Sequence, residues 1–203
     1  MALVSSYDGF IFDYGGVLVH DQTPEDRGRL AEIASIPLNR FDELYWANRC
    51  DYDKDLITGA EYWTAVAQSA RATLNPEAIE ELMELDSASW MQFDPEMWAW
   101  IEQLRAAGKR VAMLSNMPRD LGSALKARTN RLDSFDHVTL SYEVRAAKPE
   151  LAIYEHCLKG LSLAPEQILF FDDRMVNVQV AESLGIRAFQ FTNREDVLAR
   201  VRT

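Results

Sequence analysis

Four small groups of polar residues flank short apolar runs or helical segments, where they could act together on one ligand. They are, in chain order, Asp13, Ser115-Asn116, Lys148-Pro149 and Asp172-Asp173. Two separated acidic positions with a hydroxyl and a lysine suit a hard cation and a phosphate group. Mg²⁺, for example, is commonly held by one or two carboxylates plus substrate oxygens. The four groups therefore predict a cation and phosphate site, provided that the fold brings them to one place.

Five short apolar runs predict the strands that must position these groups. They cover residues 10–13, 110–115, 138–140, 168–172 and 187–191. Runs such as VAML and ILFF are continuously apolar, which is typical of parallel strands covered on both faces. Helical patterns lie between them at residues 95–107, 150–159 and 175–184, with Asp94 as a predicted N-cap and Gly108, Gly160 and Gly185 as predicted ends. This alternation predicts an α/β fold with a doubly wound (Rossmann-like) parallel sheet, whose ligands bind at the carboxyl ends of the strands.

The segment between the first and second strands breaks the alternation, because it contains only helical patterns. They cover residues 24–34, 38–49, 59–74 and 76–90. A helical segment of this length predicts an inserted cap. We therefore expect a catalytic core formed by residues 1–20 and 92–203, and a helical cap formed by residues 21–91.

The chain is acidic, with a formal net charge of -11 and a pI near 4.7. Clustered Lys and Arg supply affinity for phosphate backbones, so this charge predicts no nucleic-acid partner and no anionic membrane partner. No run approaches the roughly 20 apolar residues that span a bilayer. The amino terminus MALVSSYDGF lacks the basic and apolar segments of a secretion signal. We expect a cytoplasmic protein, as a monomer or a homodimer.

The stretches FDYGGVLV, LSN, KP and FFDDRMVN occur in this order along the chain. Together they resemble the four motifs of the haloacid dehalogenase (HAD) superfamily, and the helical insertion resembles that superfamily's first-position cap. The first and last stretches are similar to those of glucose-1-phosphate phosphatases and of the phosphatase-like domain of epoxide hydrolases. The resemblance covers nearly the whole chain. It implies a HAD-like fold and a magnesium-dependent phosphatase that acts on a small phosphorylated metabolite.

The resemblance assigns Asp13 as the nucleophile, which would attack phosphorus and form an aspartyl-phosphate. It assigns Mg²⁺ to the Asp13 carboxylate, the backbone carbonyl of Gly15 and the Asp172 carboxylate. Asp173 would contact the ligands of the metal without binding the metal itself, or it would orient a metal-bound water. Asn177 would hold the lysine or an aspartate in place.

The same resemblance implies three groups that bind the transferring phosphoryl group. Ser115 would donate its hydroxyl, Asn116 its backbone N–H, and Lys148 would neutralise charge on the nucleophile and the phosphoryl oxygens. Phosphoryl transfer depends mostly on positioning and electrostatic stabilisation, which these groups supply. Asp13, Ser115 and Lys148 are therefore the predicted catalytic residues.

Gly15 departs from the resemblance, because most phosphatases of the superfamily carry a second aspartate there. That aspartate protonates the leaving oxygen and later activates water, and such help is worth roughly 100- to 10,000-fold. Three explanations are open. The leaving group departs without a proton, as a sugar anomeric oxygen, an acyl phosphate or an anhydride would; or water or the cap supplies the proton; or the chain is a weak enzyme or a binding protein that kept the fold. We favour the first, partly because the similar glucose-1-phosphate phosphatases share this kind of first motif, and we expect a sugar phosphate such as a sugar 1-phosphate. His20 is the one histidine that we would test as a replacement acid, although a hinge or surface role is the stronger expectation.

A 2-haloacid dehalogenase is the alternative chemistry, because carbon–halogen cleavage needs an aspartate nucleophile but no acid for the leaving group. Arg49 would then hold the substrate carboxylate. The superfamily's dehalogenases need no magnesium and carry small polar residues where this chain has Asp172 and Asp173. Without a metal, that acidic pair would repel both the nucleophile and an anionic substrate. The metal-dependent phosphatase is therefore the stronger hypothesis.

Helical spacing predicts that most aromatic residues of the cap and of the helix at residues 95–107 pack in the interior. They include Phe41, Tyr45, Trp46, Trp63, Trp90, Trp98 and Trp100. Among the cap residues, Tyr45, Trp46 and Arg49 are the best candidates to face the site.

Overall fold

A five-stranded parallel sheet forms the centre of the part of the chain that the computed structural model describes, namely residues 6–195 and residue 197. The strands are β1 (Gly9–Phe12), β2 (Arg110–Ser115), β3 (His137–Leu140), β4 (Ile168–Asp172) and β5 (Arg187–Gln190). They lie in the order β3-β2-β1-β4-β5. The predicted doubly wound α/β fold is confirmed, and each strand lies within one residue of its predicted position.

Helices make up most of the remaining described residues. The α-helices are α1 (Pro24–Ile33), α2 (Phe41–Ala47), α3 (Arg49–Asp53), α4 (Gly59–Ser69), α5 (Pro76–Ser89), α6 (Pro95–Ala106), α7 (Arg119–Arg128), α8 (Ser141–Val144), α9 (Leu151–Leu161) and α10 (Met175–Ser183). Single 3₁₀ turns cover Leu38–Arg40, Arg131–Ser134 and Pro165–Gln167. Within the described residues, no helix combines the length and apolar character that crossing a membrane requires.

The sheet is covered on both faces, because successive side chains of a strand point to opposite sides. On one face the Phe12 ring lies 5.4 Å from the Trp100 ring and 5.3 Å from the Phe171 ring. On the other face Ile11 belongs to a separate buried cluster with Tyr154. β1 is paired on both edges, with β2 and with β4. The residue that follows β1 is therefore held in place by packing and by two hydrogen-bonded neighbours.

Two predicted helix ends had different outcomes. Asp94 is the N-cap of α6, where its side chain accepts hydrogen bonds from the backbone N–H groups of Glu96 and Met97. Gly160 does not end α9, which continues to Leu161 and is followed by Ser162 with a φ of 55°. Glycine stands at position 160 for another reason, because a Cβ there would collide with the ring of His137. Helix α7 was not among the predicted elements.

The helices between β1 and β2 have their own buried apolar cluster, which includes Leu30, Phe41, Trp63 and Leu82. Capping boxes at Thr23 and Thr58 begin α1 and α4. The single helix predicted over residues 38–49 is instead a 3₁₀ turn followed by α2 and α3, which are separated at Asn48. Asn is a weak helix former whose side chain competes for backbone groups, which is consistent with a break at this residue. The exact division between core and cap stays a prediction.

Candidate active site

Lys148 places its ammonium group between two carboxylates from the neighbouring strands β1 and β4. Its Nζ lies 2.8 Å from Asp13 Oδ1 and 2.6 Å from Asp172 Oδ2. Asp13 directly follows β1, Asp172 ends β4, and Lys148 lies between α8 and α9. All three residues are buried, with Asp172 fully inaccessible. The structure therefore brings together three of the residues that the sequence proposed for the site.

Asn116 fixes the backbone that carries Lys148. Its side-chain Oδ1 accepts a hydrogen bond of 2.7 Å from the Lys148 backbone N–H, and its Nδ2 donates one of 2.9 Å to the Lys148 carbonyl oxygen. An amide side chain can make this double contact because it both donates and accepts. The sequence analysis had assigned only the backbone N–H of Asn116. Its side chain thus has a positioning role, which links the end of β2 to Lys148.

The Asp172 carboxylate is also fixed from the loop that follows β4. Its Oδ1 accepts hydrogen bonds from the Arg174 backbone N–H at 2.9 Å and from Asn177 Nδ2 at 2.8 Å. Lys148 already occupies the other carboxylate oxygen. Asn177 therefore lies against the aspartate, one of the two positions expected of it.

Ser115 ends β2 and is 1% exposed, immediately before Asn116. Its hydroxyl lies 3.5 Å from the Asn116 carbonyl oxygen, which is too long for a strong hydrogen bond. The hydroxyl is therefore not held by a strong contact among the described residues.

Burial dominates the electrostatics of the buried triad formed by Asp13, Lys148 and Asp172. It raises the pKa of Asp13 to about 8; Lys148 opposes this increase, while Asp172 and Asp173 add to it. Burial lowers the pKa of Lys148, but the charges of Asp13 and Asp172 outweigh it, so that this pKa lies above its ordinary value. One ammonium group thus faces several carboxylates. A second cation would stabilise their ionised forms.

The carboxylates fit such a cation. Oxygen atoms of Asp13, Asp172 and Asp173 all lie within 4.8 Å of one another, and Asp173 is more exposed than the other two. A donor set made only of carboxylate oxygens suits Mg²⁺. Asn177 Oδ1 is buried without a hydrogen-bond partner among the described residues, so an acceptor remains available there for a metal-bound water. The residues present therefore match the predicted metal.

A cavity of about 650 Å³ adjoins this cluster. The predicted site residues in its wall are Asp13, Gly15, Asn116, Lys148, Asp173 and Asn177. Ser115 and Asp172 are not among the residues that line it in the described structure. His20 is exposed and does not line it either, so nothing in the described structure places this histidine as a replacement acid.

The cap contributes a different set of residues to the cavity than expected. Trp46 and Arg49 line it, as the sequence analysis proposed, whereas Tyr45 is fully buried away from it. Trp90, which helical spacing assigned to packing, lines the cavity as well. The helical period indicates the face on which a residue lies, but not whether that face meets a core or a cavity.

Arg49 is held by two carboxylates inside the cap. Its Nε lies 3.0 Å from Asp53 Oδ1, and its Nη1 lies 2.8 Å from Asp86 Oδ2. The same Nη1 donates to the Tyr45 hydroxyl at 2.6 Å, and that hydroxyl donates to Asp86 Oδ1 at 2.6 Å. Gln22 also donates to Asp86 at 3.2 Å. The charge of Arg49 is therefore paired with two carboxylates inside the protein.

Replacing Arg49 by Met is expected to lower the free energy of unfolding by about 3–5 kcal/mol, because Asp53 and Asp86 would stay buried without their cation. Urea denaturation followed by circular dichroism measures this loss. The matched control is Arg29→Met, since Arg29 also pairs with two carboxylates, Glu32 and Glu81, but at the exposed surface. Its loss should be much smaller. Equal losses in the two variants would contradict a structural role for the buried network.

A family model described as haloacid dehalogenase-like hydrolase matches residues 7–185. Phosphatase MT3486 of Mycobacterium tuberculosis is 26% identical over 190 residues, which cover 91% of this chain and 87% of that protein.

Two solved structures share this fold. The HAD family enzyme BT-2542 of Bacteroides thetaiotaomicron, in complex with magnesium and inorganic phosphate, has a TM-score of 0.72 at 21% identity, and the match covers 94% of this chain and 98% of that one. The L-2-haloacid dehalogenase RSc1362 has a TM-score of 0.74 at 20% identity, with 98% and 100% of the two chains covered. At these identities the likeness concerns the fold, and the fold alone does not separate the two chemistries.

Proposed function

The chain belongs to the haloacid dehalogenase-like hydrolases, and from this premise we propose that it is a magnesium-dependent phosphatase of a small phosphorylated metabolite. The observation that carries the proposal is the position of the Lys148 ammonium group between Asp13 and Asp172, with a third carboxylate nearby. This arrangement offers a nucleophile, a fixed positive charge and a set of oxygen ligands at one end of a cavity. The similar phosphatase MT3486 supports the same reaction class.

In the proposed reaction a carboxylate oxygen of Asp13 attacks phosphorus, and the bond from phosphorus to the leaving oxygen breaks. Lys148 stabilises the charge on the nucleophile and the phosphoryl oxygens, while the Ser115 hydroxyl and the Asn116 backbone N–H bind the phosphoryl group. Water then attacks phosphorus in the aspartyl-phosphate, releases inorganic phosphate and regenerates Asp13. The two hydrogen bonds between the Asn116 side chain and the Lys148 backbone hold Lys148 in position for both steps.

Asp13, Asp172 and the Gly15 carbonyl would hold Mg²⁺, with Asp173 and Asn177 supporting it. The ion would supply Lewis-acid stabilisation of charge on the phosphoryl group. The cluster of carboxylates supports a need for this second cation, because one ammonium group does not neutralise it.

The absent carboxylate at residue 15 supports a sugar phosphate substrate, with sugar 1-phosphates as the first choice. The anomeric oxygen of a sugar is a better leaving group than an ordinary alkoxide and depends less on an acid. The cavity wall supports a substrate without a second negative group, because the charge of Arg49 in this wall is already neutralised by Asp53 and Asp86. We therefore propose a substrate whose negative charge lies on its one phosphate.

Dehalogenation is the weaker candidate for two reasons. Arg49, the residue that would hold a substrate carboxylate, is already paired with Asp53 and Asp86. The acidic residues Asp172 and Asp173 need a cation that this chemistry does not use.

A binding protein that kept the fold is the third alternative, and such a protein has no chemical need for the triad of Asp13, Lys148 and Asp172.

A phosphate-release screen with Mg²⁺ tests the proposal, and sugar 1-phosphates should exceed the matching 6-phosphates by at least about tenfold in kcat/KM, because acid assistance is worth ~100-fold or more where the leaving group requires it. Chelation of the metal should abolish release. Halide release from 2-haloacids in the presence of chelator would favour the dehalogenase instead. A preference for 6-phosphates would contradict the substrate class but not the phosphatase reaction.

A further inference from the structure

The backbone does not require glycine at residue 15. Among the described glycines, positive φ occurs at Gly16, Gly108 and Gly185, but not at Gly15. Gly16 has a φ of 68°, a conformation that other residues adopt with strain. At residue 15, by contrast, any L-residue could adopt the backbone conformation. Any constraint on a side chain at this position therefore comes from what surrounds it.

The Trp90 indole stands against the face of residue 15 from which a side chain would project. A Cβ at residue 15 would lie 3.4 Å from Cζ3 and 3.9 Å from Cε3 of Trp90. The first carbon of a side chain would therefore already be in van der Waals contact with the ring. A longer side chain, such as that of aspartate, would have to displace the indole or turn away from it.

Trp90 is fixed in this position from two sides. Its carbonyl oxygen accepts a hydrogen bond of 2.8 Å from the Tyr14 hydroxyl, and its indole N–H donates one of 3.0 Å to the Tyr45 hydroxyl. Tyr14 follows Asp13 in the core, while Tyr45 belongs to the network around Arg49. Trp90 also lines the cavity that Asp13 lines. An ordered aromatic surface thus adjoins the nucleophile.

We infer that Trp90 is a specificity-determining residue, whose indole forms the wall of the leaving-group pocket in the space that an acidic side chain at residue 15 would need. The inference rests on the proposed function and deepens it. The site would select phosphate monoesters with a ring-shaped, uncharged leaving group that packs on the indole and departs without a proton from residue 15. Aromatic side chains bury large apolar areas and suit such packing.

A double-mutant cycle on thermal stability tests the steric part without any substrate. Gly15→Asn should lower the melting temperature by several degrees relative to Gly15→Ala, because the alanine Cβ reaches only ordinary van der Waals contact with the indole, whereas the atoms beyond Cβ in asparagine would have to displace it. In a Trp90→Ala background this difference should disappear. Asn is used because it has the shape of Asp without adding charge to the carboxylate cluster. An equal difference in both backgrounds would overturn the inference.

Leaving-group dependence tests the functional part. In the Trp90→Ala background, Gly15→Asp should raise the ratio of alkyl to p-nitrophenyl phosphate hydrolysis by at least about tenfold, because a general acid helps only the poor leaving group. In the wild-type background the same substitution should leave this ratio nearly constant. Trp90→Ala alone should raise KM for a ring-containing substrate about three- to tenfold, and Trp90→Phe should largely restore it.

The outcomes separate this inference from the proposed function. Mg²⁺-dependent hydrolysis of p-nitrophenyl phosphate by the wild-type protein tests the proposed phosphatase function. If this activity is absent, the proposed function fails, and the inference about Trp90 fails with it. If that activity is present but Gly15→Asp raises the ratio equally with and without Trp90, the inference fails and the phosphatase stands. Failure of Trp90→Phe to restore KM would likewise exclude packing of the leaving group on this ring.

Discussion

Asp13→Asn is expected to abolish phosphate-ester hydrolysis, with a loss on the order of 10⁶-fold in kcat, the scale seen when a covalent nucleophile is removed. A neutral amide oxygen is a poor nucleophile toward phosphorus, so no stable phospho-enzyme would form. The substitution also removes one carboxylate from the set that holds the metal. Both effects act in the same direction, which makes this the largest expected change in activity.

Two measurements check this expectation. Steady-state phosphate release gives the rate, and mass spectrometry after rapid acid quenching detects phosphate bound to Asp13 in the wild-type protein. Asp133→Asn is the control, because Asp133 is an exposed aspartate in the 3₁₀ turn Arg131–Ser134, away from the cavity. The Asp13 variant should keep its folded circular dichroism spectrum. A folded variant that retains more than about one per cent of the wild-type rate would exclude covalent catalysis by this residue.

Lys148→Met is expected to reduce both activity and stability. Loss of one fixed charge-stabilising group costs about 10³-fold in kcat. The free energy of unfolding should fall by about 3–5 kcal/mol, because Asp13 and Asp172 would remain buried without the ammonium group between them. The side chain of Met is similar in length, so the change removes the charge more than the volume.

Lys126→Met is the matched control for this prediction. Lys126 also pairs with a carboxylate, that of Glu143, but both side chains are about half exposed. Its removal should cost less than about 1 kcal/mol. Urea denaturation without added metal measures the stability of both variants, and phosphate release measures their activity. If Lys148→Met loses activity but no stability, the ammonium group is not the internal counter-ion that its two short contacts indicate.

Much of the fold was accessible from local patterns. The runs that form β1, β2 and β4 are continuously apolar, because strands at the centre of a parallel sheet are buried on both faces. Capping at Asp94 was predictable because a cap depends only on residues a few positions away. The break at Asn48 and the continuation of α9 past Gly160 were not predicted. The contact with the distant His137 ring explains why glycine stands at position 160, and no pattern near that residue indicates this contact.

The convergence of Asp13, Lys148 and Asp172 could also be expected from the sequence. Parallel strands end at a common edge, so polar residues at those ends meet whatever their separation along the chain. The double hydrogen bond from Asn116 to the Lys148 backbone was not predictable in this way. Strand ends are defined by the sheet, but the direction of a side chain depends on every neighbour that it meets.

The sequence by itself determined the strands of the sheet, the order of the polar groups along the chain and the absence of a carboxylate at residue 15, because these follow from residue type and short-range periodicity. The tertiary structure decided what surrounds residue 15 and Arg49. It placed the Trp90 indole against Gly15 and neutralised Arg49 with Asp53 and Asp86. The contacts of Trp90 with Gly15 and of Arg49 with Asp86 join segments far apart in the chain, so no local pattern predicts them, whereas Arg49 and Asp53 lie one helical turn apart.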